Sequence, residues 1–419
     1  MNKTIAIFIY LILNVLSVED IYSCTVLYCS MDGIILGGNN EDWEDPLTRM
    51  WIYPPEPEKH GWIKFGFGSG FPQGGMNDQG VFWDATAGPY MDMPYSESNK
   101  ILYHGALMQK VIEECSNVAE AEAILQTYYC QDQYRAQYLI GDALGNSMID
   151  EGDSIIVKDG DYQVLTNFYQ SDPDLGGYPC WRYSTASGLL GECTSLSPYF
   201  IGMVLASTHQ EGKYPTQYSN IYDLKEKLIY LFHYHNYDEF LIIDLMQEMK
   251  RGYHSYDIPS LFSNIKLLGP DHGDTLTGTS LDIRWTGHPD CEYRVVCSVH
   301  PDMSDPSVTL AYHEVRLSVE LLYAFLWPIV LFIPFVRSIR RKQAWILPVL
   351  MTVIVMISQC VNEDNPEDPD RVEEYLCTLT GLGSDTTYYW KIEARNGNAG
   401  GYTTETVVRS FHTGGTQKR

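Results

Sequence analysis

Residues 24–46 read CTVLYCSMDGIILGGNNEDWEDP, in which two β-rich runs, TVLYCS and GIILGG, meet at Met31-Asp32-Gly33. Asp-Gly between apolar runs is a hairpin signal, because both turn positions need a left-handed backbone that these residues tolerate. Working outward, WIKFGFG, GVFWDAT, AQYLIGDA, NSMIDEG, SIIVKDG and YQVLTNF continue as short strands. Helical spacing is read in HGALMQKVIEECSNVAEAEAILQTYY and again in YDLKEKLIYLFHYHNYDEFLIIDLMQEM. Strand runs separated by amphipathic helices predict an α+β layered fold with helices covering sheets.

The chain has 419 residues, of which 45% are hydrophobic, enough for two domains with real cores. Its formal net charge is -26, from 54 acidic and 28 basic residues, so a polyanion would be repelled and nucleic acid is excluded as a partner. The start, MNKTIAIFIYLILNVLSVEDIYS, places Lys3 before an apolar run and a small residue at Ser23, the layout of a signal peptide over residues 1–23. Export, to an extracellular or periplasmic location, is the expectation. Ten cysteines fit an oxidising compartment, with Cys115–Cys130 and Cys180–Cys193 as candidate pairs and Cys291, Cys297 and Cys377 as further choices.

Cutting after Ser23 makes Cys24 the first residue, with a thiol and a free α-amine together. A thiol titrates near about 8.5 and an α-amine at about 7.7–8.0, so the amine accepts the thiol proton near neutral pH. One residue then supplies nucleophile and base. Tyr22, two residues before the cysteine, argues against lipidation. A disulfide from Cys24 to Cys29 or to another cysteine stays open at this level.

The Cys-Thr start, the hairpin and the Gly-x-Asn-x-Asp-Trp that follows resemble the opening of the N-terminal-nucleophile linear amide hydrolases. That group contains choloylglycine (bile salt) hydrolases, penicillin V acylases and acyl-coenzyme A:isopenicillin N acyltransferase-like proteins. GGMNDQGVFW (74–83), YLIGDALGNSMIDEG, VLTNF (164–168), CWRYSTASGLL and TQYSNIYDLKEKLIYLF resemble later family segments in the same order, over residues 24–262. The resemblance implies a four-layer αββα domain and four catalytic residues. Cys24 would be nucleophile and amine base, Asp42 would hold the cysteine, Asn167 would bind the oxyanion, and Arg182 would orient the group. Asn39, Trp83, Asp84 and Thr86 are the substrate-binding candidates. The pattern departs from the bile salt and penicillin V acylases at Asn39, where they carry Arg, and near Thr86, where they carry Asn. No metal or organic cofactor is implied; His233 and His235 are read as packing residues of a Tyr-rich helix.

After Ser263 the text turns to alternating strands and turns, with Trp285 on one and Tyr388 or Tyr389 placed to supply a corner hydroxyl. Residues 263–419 resemble a fibronectin type III or immunoglobulin-like sandwich. An insertion at 317–361 holds two apolar segments, LSVELLYAFLWPIVLFIPFV and AWILPVLMTVIVMISQCV, around a loop basic at Arg337, Arg340, Arg341 and Lys342. The expectation is a membrane hairpin with that loop on the cytoplasmic side, against which Glu320, Pro328, Pro334 and Pro348 count.

The expected function is hydrolysis, or acyl transfer, at a linear carbon–nitrogen amide of a small molecule through a thioester on Cys24. Two other readings are carried beside it: an inactive exported binding or adhesion protein that uses the sandwich, and an N-terminal-cysteine dipeptidase.

Overall fold

The computed structural model describes residues 24–306, 308–309, 372–396 and 402–414. The leader at 1–23 and the apolar hairpin at 317–361 lie outside the described residues. Among the described residues, no helix is long and apolar enough to cross a membrane. The chain divides into two compact units between Phe262 and Ser263, and the late strand Thr403–Thr406 belongs to the first.

The first unit is built on two antiparallel sheets. One runs in the order Tyr162–Leu165, Thr25–Met31, Ile34–Asp42, Thr216–Asp223, Leu228–His233, Asn236–Asp244, Thr403–Thr406. The other runs Ile155–Val157, Ser147–Asp150, Ala136–Gly141, Phe82–Ala87, Pro72–Asn77, Trp62–Phe67, Thr48–Tyr53, His254–Asp257. The first hairpin turns where the sequence predicts, with Asp32 and Gly33 at φ 50° and 83° and Met31 paired to Ile34.

Between the sheets lies a core that includes Val26, Tyr28, Ile63, Phe65, Phe82, Leu139 and Tyr222. Tyr28 and Phe82 stack across it at 6.2 Å and 9°. Gly37 and Gly141 leave room for these rings: a Cβ on Gly141 would stand 2.4 Å from Tyr28, and one on Gly37 2.7 Å from Phe82. Helices Leu107–Glu114 and Val118–Thr127 cover the outer face of the second sheet, packing with Trp62, Trp83, Tyr138 and Ile140. Helices Trp181–Gly191 and Pro198–Thr208 cover the first, packing with Leu27, Leu36, Ile221 and Phe232. The layers are therefore helix, sheet, sheet, helix.

Asn77, in the GGMN segment, is a structural residue. Its amide donates to the carbonyls of Ile112 and Cys115, both at 2.8 Å, and so satisfies the end of a covering helix.

The structure corrects the helical reading of residues 222–249. Only Leu245–Met249 is helical there; Leu228–His233 and Asn236–Asp244 form a β-hairpin. Ile229 and Leu231 face the inter-sheet core while Tyr230 and Phe232 face the helical layer, so both strand faces are apolar and the period-two signal is erased. Cys115, Cys130, Cys180 and Cys193 are unpaired thiols, against the pairs expected from their spacing.

The second unit has two sheets: Lys266–Gly269, Ser280–Gly287 and Glu373–Thr380 in one, and Asp274–Leu276, Arg409–Thr413, Thr386–Asn396, Cys291–Ser298 and Val308–Thr309 in the other. Trp285 of the first meets Tyr293 of the second with ring centroids 5.8 Å apart, joining the two faces as a sandwich. The Tyr388 hydroxyl accepts the Gly383 N–H at 2.8 Å, which ties the chain before that strand to its start.

Candidate active site

Cys24 immediately precedes the strand Thr25–Met31, which is hydrogen-bonded to Ile34–Asp42 on one side and Tyr162–Leu165 on the other. That pairing brings residues 40–42 and 166–167 to the same end of the sheet as Cys24. Arg182, in the first turn of the helix Trp181–Gly191, is only 4% exposed. Its Nη1 donates to the Cys24 carbonyl and, at 2.9 Å, to Thr25 Oγ1; its Nη2 donates to Asn167 Oδ1 at 3.0 Å. Asn167 Nδ2 in turn donates to the Ala87 carbonyl at 2.6 Å. One guanidinium fork thus fixes Cys24 and Asn167 relative to each other across 158 residues of sequence for the former. Asn167 uses one of its two amide N–H donors on Ala87, which leaves the other for a ligand.

Asp42 joins the group electrostatically. Thr216 Oγ1 donates to its Oδ1 and Gln210 Nε2 to its Oδ2, at 2.7 Å for the latter. Burial raises its carboxyl to about 7 even though the Arg182 charge and these two donors pull the other way. The carboxylate is therefore held by Thr216 and Gln210, while its charge acts on the Cys24 thiol.

The thiol itself meets a residue that sequence reasoning missed. Cys24 Sγ donates to Glu41 Oε1 at 3.6 Å. Strand alternation puts Glu41 on the face of Asn39, opposite Asn40, whose amide is spent on the Leu205 carbonyl and Thr208 in the covering helix. That alternation was the available signal: in the sequence, Glu41 reads as one of a run of hairpin acids. The Cys24 thiol is raised well above the ordinary range, first by burial and then by the charges of Glu41 and Asp42. Glu41 is raised as well, by burial and by Asp42.

The four substrate-binding candidates are divided by the strand Phe82–Ala87. Asp84 points between the sheets, where burial and then Glu41 raise its carboxyl and Asn39 lies beside it. Asn39 Nδ2 and Oδ1, Glu41 Oε2, Asp84 Oδ2, Tyr218 Oη and Asn220 Oδ1 are all buried without a hydrogen-bond partner among the described residues. Trp83 points the other way, into the helical layer, in edge contact with Tyr138 at 5.9 Å. It lines a cavity of about 320 Å³ with Thr86, Leu107, Met108 and Arg135. Thr86 donates its hydroxyl to the Thr166 carbonyl at 3.2 Å, so that proton is not offered to a ligand. Trp83 and Asp84 therefore cannot line one pocket.

His233 and His235 also separate. His233 is half-buried, stacked on Phe262 with ring centroids 5.5 Å apart, and desolvation lowers its ring to about 4. His235, at the hairpin tip, instead meets His209 and Glu211.

No family model matches the chain, and no curated protein matches it. Among solved structures, the chain is similar to penicillin V acylase from Agrobacterium tumefaciens, at 17% identity over 56% of this chain and 91% of that one, with a TM-score of 0.43. It is also similar to a variant of conjugated bile acid hydrolase from Clostridium perfringens, at 16% identity over 56% and 97%, with a TM-score of 0.44. A mutant of the same hydrolase gives 15% identity over 56% and 96%, with a TM-score of 0.43.

Proposed function

We propose that the chain is an exported N-terminal-nucleophile hydrolase that opens, or transfers the acyl group of, a linear carbon–nitrogen amide through a thioester on Cys24. The observation that carries this reading is the Arg182 fork, which holds Cys24, Thr25 and Asn167 in one buried group beside Asp42. In the uncut chain the Cys24 nitrogen is an amide and has no lone pair to offer a proton. Its thiol, raised by burial and two neighbouring carboxyls, stays protonated. Removing the leader supplies an amine one bond from Cα, which takes the thiol proton as sulfur attacks the substrate carbonyl.

The tetrahedral oxyanion so formed is then bound by the remaining Asn167 N–H, a donor worth about 3 kcal/mol when correctly aimed. The carbon–nitrogen bond breaks, the protonated α-amine gives its proton to the leaving amine, and a thioester remains. Water attacks that thioester with the amine again as base; an acceptor amine in place of water gives transfer. The C-terminal unit, read as a fibronectin III-like sandwich, would present this domain at the cell exterior.

The test is turnover of a panel of N-acyl amides, penicillin V and conjugated bile acids by protein whose terminus is shown by mass spectrometry to be an unmodified Cys24. Cys24→Ala is expected to abolish turnover and the acyl-enzyme mass. Turnover unchanged by that substitution sinks the thioester route. The occupied Thr86 hydroxyl and the Glu41 carboxyl against the thiol favour one rival, an inactive binding protein, and a matured chain with free Cys24 that turns over nothing in the panel would support it.

A further inference from the structure

The segment after helix Pro198–Thr208 and the tip of the hairpin between Leu228–His233 and Asn236–Asp244 bring two imidazoles and a carboxylate together. The ligand atoms of His209, Glu211 and His235 all lie within 4.8 Å of one another. His209 Nδ1 is 2.5 Å from the Ala206 carbonyl oxygen, an acceptor, so Nδ1 carries a proton. The other nitrogen, Nε2, faces Glu211 Oε1 at 3.4 Å. With a proton on Nε2 this contact is an ion pair; without one, the lone pair and the carboxylate oxygen both face the same point, where a cation would bind.

The geometry suits a metal ion. Bonds of about 2.1 Å from nitrogen and oxygen to a tetrahedral ion set the two donors about 3.4 Å apart. Donation of the far ring nitrogen to a backbone carbonyl is the usual way a ligating histidine is oriented. His235 stacks on His209 with ring centroids 5.3 Å apart and 24° between planes, so a small slide at the hairpin tip closes a third ligand onto the same point. The tip is a tight turn, with Tyr234 and His235 both at φ 46° and the Tyr234 N–H bonded to the Gln217 carbonyl at 2.9 Å, which keeps His235 near His209.

We propose that His209, Glu211 and His235 form a site for a divalent transition cation of the zinc type, with the fourth position left to water. Two imidazoles and one carboxylate are a borderline-soft donor set that suits such an ion better than calcium or magnesium. The ion would clamp the segment that anchors Asp42. Gln210 lies between two of the ligands and donates to Asp42, and it is also bonded to Thr216, the other donor to Asp42, at 2.9 Å in both directions. Cation binding itself does not depend on the reaction proposed for Cys24.

Titration of the metal-free full-length chain with Co²⁺ tests this. One equivalent is expected to bind with visible d–d bands and without a sulfur charge-transfer band, and Zn²⁺ should displace it. His235→Ala and Glu211→Gln should each weaken binding by about tenfold or more. Glu211 is exposed enough that its variant will fold whatever becomes of the other. Zn²⁺ should also slow backbone amide exchange across residues 209–216. Binding of equal strength in both variants, a sulfur charge-transfer band, or no saturable binding by folded protein overturns the proposal.

Discussion

Replacing Arg182 removes the one side chain that touches three parts of the site. Arg182→Ala leaves the Cys24 carbonyl, the Thr25 hydroxyl and Asn167 Oδ1 buried without the donors they have now. Each orphaned acceptor costs about 1–3 kcal/mol, and Asp42 loses the charge that best opposes its desolvation. Because the three share one donor the costs do not add, and a loss of about 3–5 kcal/mol is expected, the range for breaking a buried charged network from one side. Arg182→Lys keeps the charge but replaces a fork with a point, so it satisfies one acceptor and should lose about 2 kcal/mol. Urea unfolding followed by tryptophan fluorescence measures both. In matured protein the lysine variant should also lose about 10²-fold or more in kcat, since Asn167 is freed from its Oδ1 anchor and no longer aims its amide. A destabilisation under about 1 kcal/mol for Arg182→Ala, or an unchanged kcat for Arg182→Lys, would refute the idea that this fork organises the site.

Other outcomes can be checked alongside. Glu41 has its folded carboxyl raised by burial, whereas in the unfolded chain it titrates near about 4.3. Its stabilising contribution is therefore complete below that pH and is lost as pH rises through the raised value. Urea unfolding at about pH 5 and about pH 8 should show wild type losing ground to Glu41→Gln at the higher pH; a pH-independent difference contradicts this. The same substitution removes the second-largest influence raising the Cys24 thiol, so iodoacetamide should alkylate Cys24 faster at alkaline pH in uncut Glu41→Gln than in uncut wild type. Gly141→Ala drives a methyl into Tyr28 and Phe82 and should cost about 1–3 kcal/mol, while Gly188→Ala, mid-helix with open space around it, should gain about 0.5–1 kcal/mol. Equal thermal shifts for these two glycines would show that the space around Gly141 is not closed by Tyr28 and Phe82.

Much of this was readable along the chain. The Asp-Gly turn, most of the strand runs of residues 24–165, though not Thr48–Tyr53 or Pro72–Asn77, and the change of texture after Ser263 are properties of neighbouring residues. Turn chemistry and local periodicity act over a few positions, so they are written there. Other features depend on which surfaces meet. Residues 222–249 look helical because both faces of two strands are apolar, and only the presence of a core on each side makes them strands. Glu41 reads as a solvated acid until its strand is known to be covered on both faces. His209 and His235 belong to segments that nothing local connects, and Arg182 reaches Cys24 from far along the chain. Local sequence sets the elements and their turns; the contact of distant elements sets burial, and burial decides which carboxyls, thiols and imidazoles share charge.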